Sequence, residues 1–411
     1  MNVHTGLIVA LFMLSCIALL LPPIAGLPLP GYVAIALLLI GTVAAMPVLI
    51  RAALRRLPNL ARAPYEIAVA ELSGTARYAA LSVSAIVVSF SLMVAMAIMV
   101  TSFRTSLDEW TQKILPADLY VRVGSLGNSA HLDEHSVQAL ARVSGIERVE
   151  VSRLAEAVMA ADREPIVLIA RSFGSQDIAD SLWVIERAAQ QAPASTVPMW
   201  VSEAAVDLHG LRPGHTFELF IGDAVLKGYV QGTWRDYEHQ EGAVVVPRDA
   251  YVRATGDRSI NTVWMWHAQD VDAQTLRASI REALPRQWQF DLREPGELRK
   301  MSLEVFDRTF AITYLLELVA VGIGLFGIAA GISAQVLARR GELGALRHLG
   351  FTRSQLGAML AIEGSVLGAL GVVVGLATGA VVSLILIYVV NRQSFHWSMD
   401  LHAPGALLTF L

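Results

Sequence analysis

RRGELGALRHLGFTRSQLGAML, residues Arg339 to Leu360, lies between two of the most apolar stretches of a 411-residue chain. Leu318 to Ala338 precedes it and Gly364 to Asn391 follows, and neither contains an Asp, Glu, Lys or Arg. Each is long enough to span a bilayer, which takes roughly 20 apolar residues. The quoted segment therefore reads as a short basic excursion, with a glycine every few positions, between two membrane crossings.

Working outward, three more uncharged apolar blocks appear: Thr5 to Leu21, Gly31 to Ile50 and Ala79 to Phe103. With 54% hydrophobic and 17% charged residues and a mean hydropathy of +0.51, the chain is that of a membrane protein. The first block is marginal in length. It lacks a preceding Lys or Arg and a second block follows the turn PPIAGLPLP (Pro22 to Pro30), so residues 1–51 read as a transmembrane hairpin and not as a secretory signal.

Arginines set the orientation. Arg51 to Tyr78 holds Arg51, Arg55, Arg56, Arg62 and Arg77 against Glu66 and Glu71, and Arg339 to Gly357 holds four arginines against Glu342 alone. Both segments are expected on the cytoplasmic side. Parity agrees, because an even number of crossings separates them. The organisation expected is a hairpin over 1–51, a cytoplasmic amphipathic segment over 52–78, a span over 79–103, an extracytoplasmic domain over 104–309 and a span over 310–338. A cytoplasmic coupling helix over 339–357, a span over 358–391 and an outer loop with the start of a last span over 392–411 complete it.

The outer domain, Arg104 to Thr309, reads as mixed α/β. Asp118 to Val123, Ile146 to Val151, Pro165 to Ala170, Val225 to Val230 and Ala243 to Val246 have strand character. Asp133 to Val143, the start of VSEAAVDLHGLRPGHTFEL (Val201 to Leu219) and Thr275 to Ala283 have helical spacing, with Gly210 as a stop. Glu297 to Arg308 predicts a charged helix running directly into the next span. Cys16, in the first span, is the one cysteine, so no disulfide reports the compartment.

Motifs for catalysis are missing from the sequence. The three lysines, Lys113, Lys227 and Lys300, are not in the Gly-Lys-Ser/Thr setting of a phosphate-binding loop. Neither a Gly-x-Ser-x-Gly elbow nor a His-Glu-x-x-His helix is present. No catalytic residue, metal site or nucleic-acid surface is assigned. His131 and His135 with Asp133 and Glu134 read as an acidic helix start, Trp264 and Trp266 as strand aromatics, and Glu317 and Glu363 as carboxylates near helix ends, placed at the interface or hydrogen-bonded between helices.

Glycine spacing carries more. Gly324, Gly327 and Gly331, with Gly322, mark one span, and Gly364, Gly368, Gly371, Gly375 and Gly379 mark the next. Intervals of three and four place them on shared faces, where small residues allow close helix packing in lipid. In the quoted segment, Glu342 to Leu349 predicts a short helix whose Leu343, Leu346 and Leu349 form an apolar edge, bracketed by Gly341, Gly344 and Gly350. Arg340 and Arg347 flank it, and such a ridge suits a partner's groove.

The run Arg340-Gly341-Glu342-Leu343-Gly344-Ala345-Leu346-Arg347-His348-Leu349-Gly350, then Ser354-Gln355-Leu356 and Glu363-Gly364, resembles the signature of FtsX-like, MacB-type permeases of ABC transporters. SEAAVDLHGLRPGHTFEL is similar to an element of that family's outer domain, and DEWTQKILPADLYVR (Asp108 to Arg122) to the end of its first core span. The resemblance covers roughly Tyr65 to Val389. It implies an α-helical polytopic membrane protein with a large α/β extracytoplasmic domain like the MacB periplasmic core, in the cell (inner, cytoplasmic) membrane.

It further implies that the segment from Arg340 to Gly350 docks on a separate ABC ATPase subunit carrying ATP and magnesium, this chain binding no cofactor itself. Other implied partners are a second permease half or copy and membrane lipid. Hydrolysis would move the outer domain by mechanotransmission, exporting or extracting a lipid, lipoprotein or other amphipathic substrate. An alternative within the same resemblance is a non-transporting transmitter that regulates an extracytoplasmic partner such as a cell-wall hydrolase. Two departures stand out. The family's fourth core span is expected after Asn391, where this sequence ends as if truncated. The hairpin resembles the pair joining two halves in ten-span members, so a preceding half is expected. His348 stands where the family usually has alanine.

Overall fold

A computed structural model describes residues 3–56, 63–74, 76–123, 131–160, 163–173, 178–268, 271–284 and 290–405. The chain divides into two compact units. One comprises Met1–Phe103, Asp307–Ser394 and Met399–Leu411, the other Arg104–Phe306 and Phe395–Ser398.

The N-terminal helices are α1 (Val3–Leu19) and α2 (Leu29–Leu54). They form a hairpin, with the Ser15 hydroxyl donating to the Ala34 carbonyl at 2.8 Å. Ile24 and Leu27 exchange backbone hydrogen bonds, each 3.0 Å, across Ala25 (φ 52°) and Gly26 (φ 74°). Two successive left-handed residues are what a tight two-residue reversal requires. At 17 residues α1 is as long as the expected block Thr5 to Leu21 but lies two residues earlier, because the chain turns at Leu20 and Leu21 before the proline pair.

Next come α3 (Ala63–Gly74) and α4 (Ala76–Ile114). The sequence reading ends the span at Phe103, whereas the helix continues to Ile114. Apolarity stops at Phe103, but the first helix breaker is Pro116.

The α/β unit is built on one ten-stranded sheet. Its strands are β1 (Leu119–Arg122), β2 (Ile146–Ala157), β3 (Ile166–Arg171), β4 (Val184–Arg187), β5 (Val197–Ser202), β6 (Thr216–Ile221), β7 (Ala224–Trp234), β8 (Ala243–Pro247), β9 (Thr262–His267) and β10 (Asp291–Arg293). The order is β10-β1-β9-β2-β3-β8-β5-β7-β4, with β6 on β7. Pairing is antiparallel except β3 with β8 and β5 with β7.

Its helices are α5 (Glu134–Ala141), α6 (Ile178–Ser181), α7 (Glu203–His209), α8 (Arg248–Thr255) and α9 (Ala273–Ala283). Short polar side chains start three of them: Asp133, Ser202 and Asp272 accept from the backbone N–H groups of Ser136, Ala205 and Thr275, donors the first turn would otherwise leave unpaired. Gly210 closes α7 at φ 72°.

Period-two alternation sorts the strands. Val121, Val263 and Met265 face inward with Leu140 of α5 and with Leu276 and Ile280 of α9. Leu168, Val201, Val230 and Val244 form a second core with Leu211, Leu219 and Tyr251.

The C-terminal helices are α10 (Pro295–Ala338), α11 (Arg340–His348), α12 (Arg353–Ile385), a π-helical turn at Leu386–Asn391 and α13 (Arg392–Phe395). The charged helix expected at Glu297 and the span expected from residue 310 are one element, starting at Pro295, a residue suited to the first helical turn. The last described span starts at Arg353, ahead of the expected 358. Among the described residues four helices are long and apolar enough to cross a membrane, and Thr5–Leu19 is a shorter apolar helix.

Candidate functional site

The segment between α10 and α12 folds as a nine-residue helix with a sharp boundary at each side. At its C-terminal end Gly350 adopts φ 99°, its N–H donates to the Arg347 carbonyl at 3.2 Å, and the Phe351 N–H donates to the Leu346 carbonyl at 3.1 Å. This pair of bonds is the Schellman stop, which needs a residue free to take positive φ. One residue later Thr352 caps α12, its side chain and that of Gln355 bonding reciprocally to the backbone, a capping box. Leu349 to Thr352 thus ends one helix and starts the next with no slack.

Along α11 no residue is buried. Arg340, Gly341, Glu342, Arg347 and Gly350 are exposed, Leu343, Gly344 and Leu346 are half-buried, and Leu349 is 80% exposed. The predicted apolar edge is therefore divided. Leu343 turns toward Arg339, Leu360, Glu363 and Gly364, with which it lines a small cavity, while Leu349 stands clear.

Arg339, immediately before α11, positions the helix. It is 15% exposed in its side chain and reaches three carboxylates: Glu363 of α12 at 3.1 Å, Glu342 of α11 at 3.3 Å and Glu71 of α3 at 3.4 Å. One planar guanidinium with several directed donors can hold three partners at once. Sequence reasoning placed Arg340 at the site and passed over Arg339, although the signal was present. A basic residue at the end of one span and Glu363 about three turns into the next helix are mutual solutions for burying charge. The side chain of Glu317 lies outside the described residues.

The glycine ladders meet α4 from two sides. An added Cβ at Gly324 would fall 3.0 Å from Ser89, at Gly327 3.5 Å from Ala85, and at Gly331 on Ser82. On α12, Gly371 approaches Ile86 (3.1 Å), Gly375 approaches Phe90 (3.1 Å) and Gly379 the Ser91 carbonyl (2.7 Å). Positions 82, 85 and 89 make one face of α4, and 86, 90 and 91 another. Gly368 and Gly322 have nothing within 4 Å, and Gly364 lies in the small cavity beside Arg339. Close backbone approach is how helices associate where lipid removes hydrophobic exclusion.

In the α/β unit, Asp133 is occupied as the α5 cap, and no group of three or more His, Cys, Asp or Glu gathers among the described residues. Trp264 and Trp266 lie on β9 and stack under arginines, Arg171 at 3.2 Å and Arg148 at 3.5 Å from the ring centroids.

A feature the sequence reading missed is Phe395–Ser398, expected as plain outer loop. Trp397 packs on Tyr237 (5.3 Å) and Phe395 (5.2 Å). Tyr237 Oη donates to the Ser398 carbonyl at 2.7 Å and the Ser398 N–H donates to Glu203 at 3.2 Å. Two aromatics in the polar phrase RQSFHWS were the available signal.

Comparison with known proteins finds partial likenesses. Residues 314–411 match the FtsX-like permease C-terminal family. Over 340 residues the chain is 26% identical to an uncharacterized ABC transporter permease protein of Mycobacterium tuberculosis, covering 79% of this chain and 39% of that one. The chain thus spans about two-fifths of the length of this curated relative. Similar solved structures are the periplasmic region of MacB from Actinobacillus actinomycetemcomitans (12% identity, TM-score 0.33, 46% of this chain and 94% of that one) and the extracellular domain of the noncanonic ABC-type transporter YknZ from Gram-positive bacteria (14%, 0.30, 43% and 100%). The residues that match the FtsX-like permease C-terminal family include the whole of α11 and α12.

Proposed function

We propose that this chain forms the transmembrane part of an ABC transporter whose ATP and magnesium are held by a separate ATPase subunit, and that α11 is the element that subunit grips. The observation that carries this reading is the construction of α11: a short helix with an exposed outer side, joined to α12 through a glycine stop and a capping box and tied through Arg339 to α3, α11 and α12. A push on such a helix is transmitted to the spans through the hydrogen-bonded stop at Gly350, the Thr352 capping box and the Arg339 ion pairs. Gly344, Leu346 and Arg347 lie on the contacting side, with Leu349 as the apolar point and Arg340 and Glu342 as flanking charges.

On this reading α11 faces the cytoplasm and Arg104–Thr309 is extracytoplasmic, in a multi-pass protein of the cell membrane. Membership of Phe395–Ser398 in the same compact unit as Arg104–Phe306 supports that topology, since two further crossings, α10 and α12, bring the chain back to the side where the domain lies. The cargo is an amphipathic molecule such as a lipid or lipoprotein, moved by changes in the outer domain, and the assembly includes a second permease half.

The test is ATPase activity of the partner subunit, co-purified with this chain in lipid nanodiscs. Leu346→Asp and Arg347→Glu are expected to abolish stimulation by the permease while leaving its folding unchanged, since Leu346 is only half-buried and Arg347 is exposed. Full stimulation in both variants would overturn the assignment.

A further inference from the structure

One face of the sheet is covered by α5 and α9. The opposite face forms the floor of a cavity of about 180 Å³ within the α/β unit. Its residues come at alternate positions, Tyr120 on β1, Leu154 on β2, Ile169 and Arg171 on β3 and Trp264 on β9, which a pleated strand points to one side. Cross-strand register gathers them: Tyr120 lies opposite Trp264 and Leu154 opposite Ile169. Trp110 of α4 and Met301 of α10 close the other wall. An apolar space of about 150 Å³ is enough to hold a benzene ring.

The polar groups in this wall are unusual. Arg171 is 4% exposed in its side chain and meets Glu150 at 3.3 Å, while Arg148 reaches the same carboxylate at 3.8 Å. One anion therefore serves two guanidinium groups. The Arg171 guanidinium lies flat over Trp264, and its buried Nε–H has no hydrogen-bond partner among the described residues. The same holds for the Nε1–H of Trp234, another wall residue. Burial pulls the Arg171 pKa down to about 10, opposed by Glu150, so the group stays cationic at neutral pH. Buried donors left unpaired are costly, and an acceptor delivered into the cavity removes that cost.

We infer that this cavity binds a small amphipathic carboxylate, its single-ring or short-chain apolar body against Trp264 and Ile169 and its carboxylate accepting from Arg171. A cationic guanidinium prefers a carboxylate to a neutral acceptor, and the aromatic wall prefers a hydrocarbon body to a purely polar one. Trp234 Nε1–H offers a second donor in the same wall. The site stands apart from the reading of α11, since its occupancy is measured without any ATPase.

The experiment is ligand-observed NMR on the full chain in lipid nanodiscs, with benzoate as probe, benzyl alcohol as its uncharged analogue and empty nanodiscs as the baseline. Saturable benzoate binding above that baseline is expected, at least about tenfold tighter than benzyl alcohol. It should be lost in Arg171→Met, which keeps the bulk and removes the donor, and in Met301→Trp, which fills the cavity from a wall position that is 40% exposed. If Arg171→Met fails to fold, Met301→Trp decides. A benzoate signal equal to that of empty nanodiscs, equal affinity for benzyl alcohol, or unchanged binding in Met301→Trp would overturn the proposal.

Discussion

Arg339 Nη1 lies 3.1 Å from Glu363 Oε2, joining the residue that precedes α11 to a position about three turns into α12. Both side chains are largely covered, at 15% and 7% exposure, so each is the other's reason for being tolerated. Removing one partner of a buried pair leaves an uncompensated charge and costs about 3–5 kcal/mol, whereas replacing both by apolar residues is often close to neutral. Arg339→Leu is therefore expected to be the more damaging single change, since it also removes the contacts with Glu71 and Glu342. Glu363→Leu should damage less, and the double variant less than the sum of the two. Thermal unfolding in nanodiscs, arranged as a double-mutant cycle, measures this. Strict additivity would mean that the pair contributes no coupling.

The two glycine ladders separate by what each Cβ would meet. Gly379→Ala puts a methyl group 2.7 Å from the Ser91 carbonyl and Gly375→Ala puts one 3.1 Å from Phe90, and neither backbone nor ring moves cheaply in a packed interior. Gly368→Ala meets nothing within 4 Å and gains helix propensity of about 1 kcal/mol. The expected order of thermal stability is Gly368→Ala at or above the parent, then Gly375→Ala, then Gly379→Ala. Differential scanning fluorimetry of the purified chain reads it directly.

How far the sequence alone led can be argued from particular residues. Uncharged runs showed the spans, since charge in lipid is expensive enough to make such runs unmistakable. Their ends were less legible. At Phe103 and residue 310 the chain turns polar but remains helical, because polarity marks where lipid stops and only Pro116 and Pro295 mark where the helix does. Short strands such as β4 and β10 have three or four residues and no usable period, so pairing partners far along the chain decide them. At α11 the glycines and leucines were legible, but Arg339 was not, because its meaning depends on Glu71, more than 260 residues away.

Titration of the α/β unit is expected to narrow its stability from both sides. Asp257 accepts from Arg153 at 2.9 Å, Tyr251 at 2.8 Å and the Ser259 N–H at 2.9 Å. Burial alone would raise its pKa, but these donors hold it well below the usual carboxylate range. A folded pKa below the unfolded one stabilises above the unfolded value, about 3.9, and that stability is lost as pH falls through the folded value. His239 behaves in the opposite sense. Burial lowers its pKa, yet Asp236 at 2.9 Å, with Glu238 and Glu241, brings it above the ordinary value. Its contribution is present below about pH 6.5 and lost as pH rises through the folded pKa. His239→Gln should flatten the alkaline limb of a plot of melting temperature against pH, and Asp257→Asn the acid limb. An unchanged profile in either variant would refute the corresponding assignment.

Trp397 is 6% exposed although the phrase around it is polar, and its burial is what brings the segment after α13 into the α/β unit. Truncating a buried tryptophan costs about 3–5 kcal/mol where the surroundings cannot collapse. Other ties of this segment include two hydrogen bonds to the Ser398 backbone and the His396–Asp207 contact at 3.5 Å, each worth about 1 kcal/mol. Trp397→Ala should therefore release the segment without unfolding the sheet, whose cores include neither Trp397 nor Tyr237. In Cys16→Ser background, a cysteine introduced by Ser398→Cys is expected to react slowly with a membrane-impermeant maleimide when Trp397 is present and at least about tenfold faster in Trp397→Ala. Equal labelling rates would show that contacts other than the Trp397 ring hold the segment. Trp397→Phe, which keeps a ring against Tyr237, should restore most of the protection, so that a ring and not the indole N–H is the feature required.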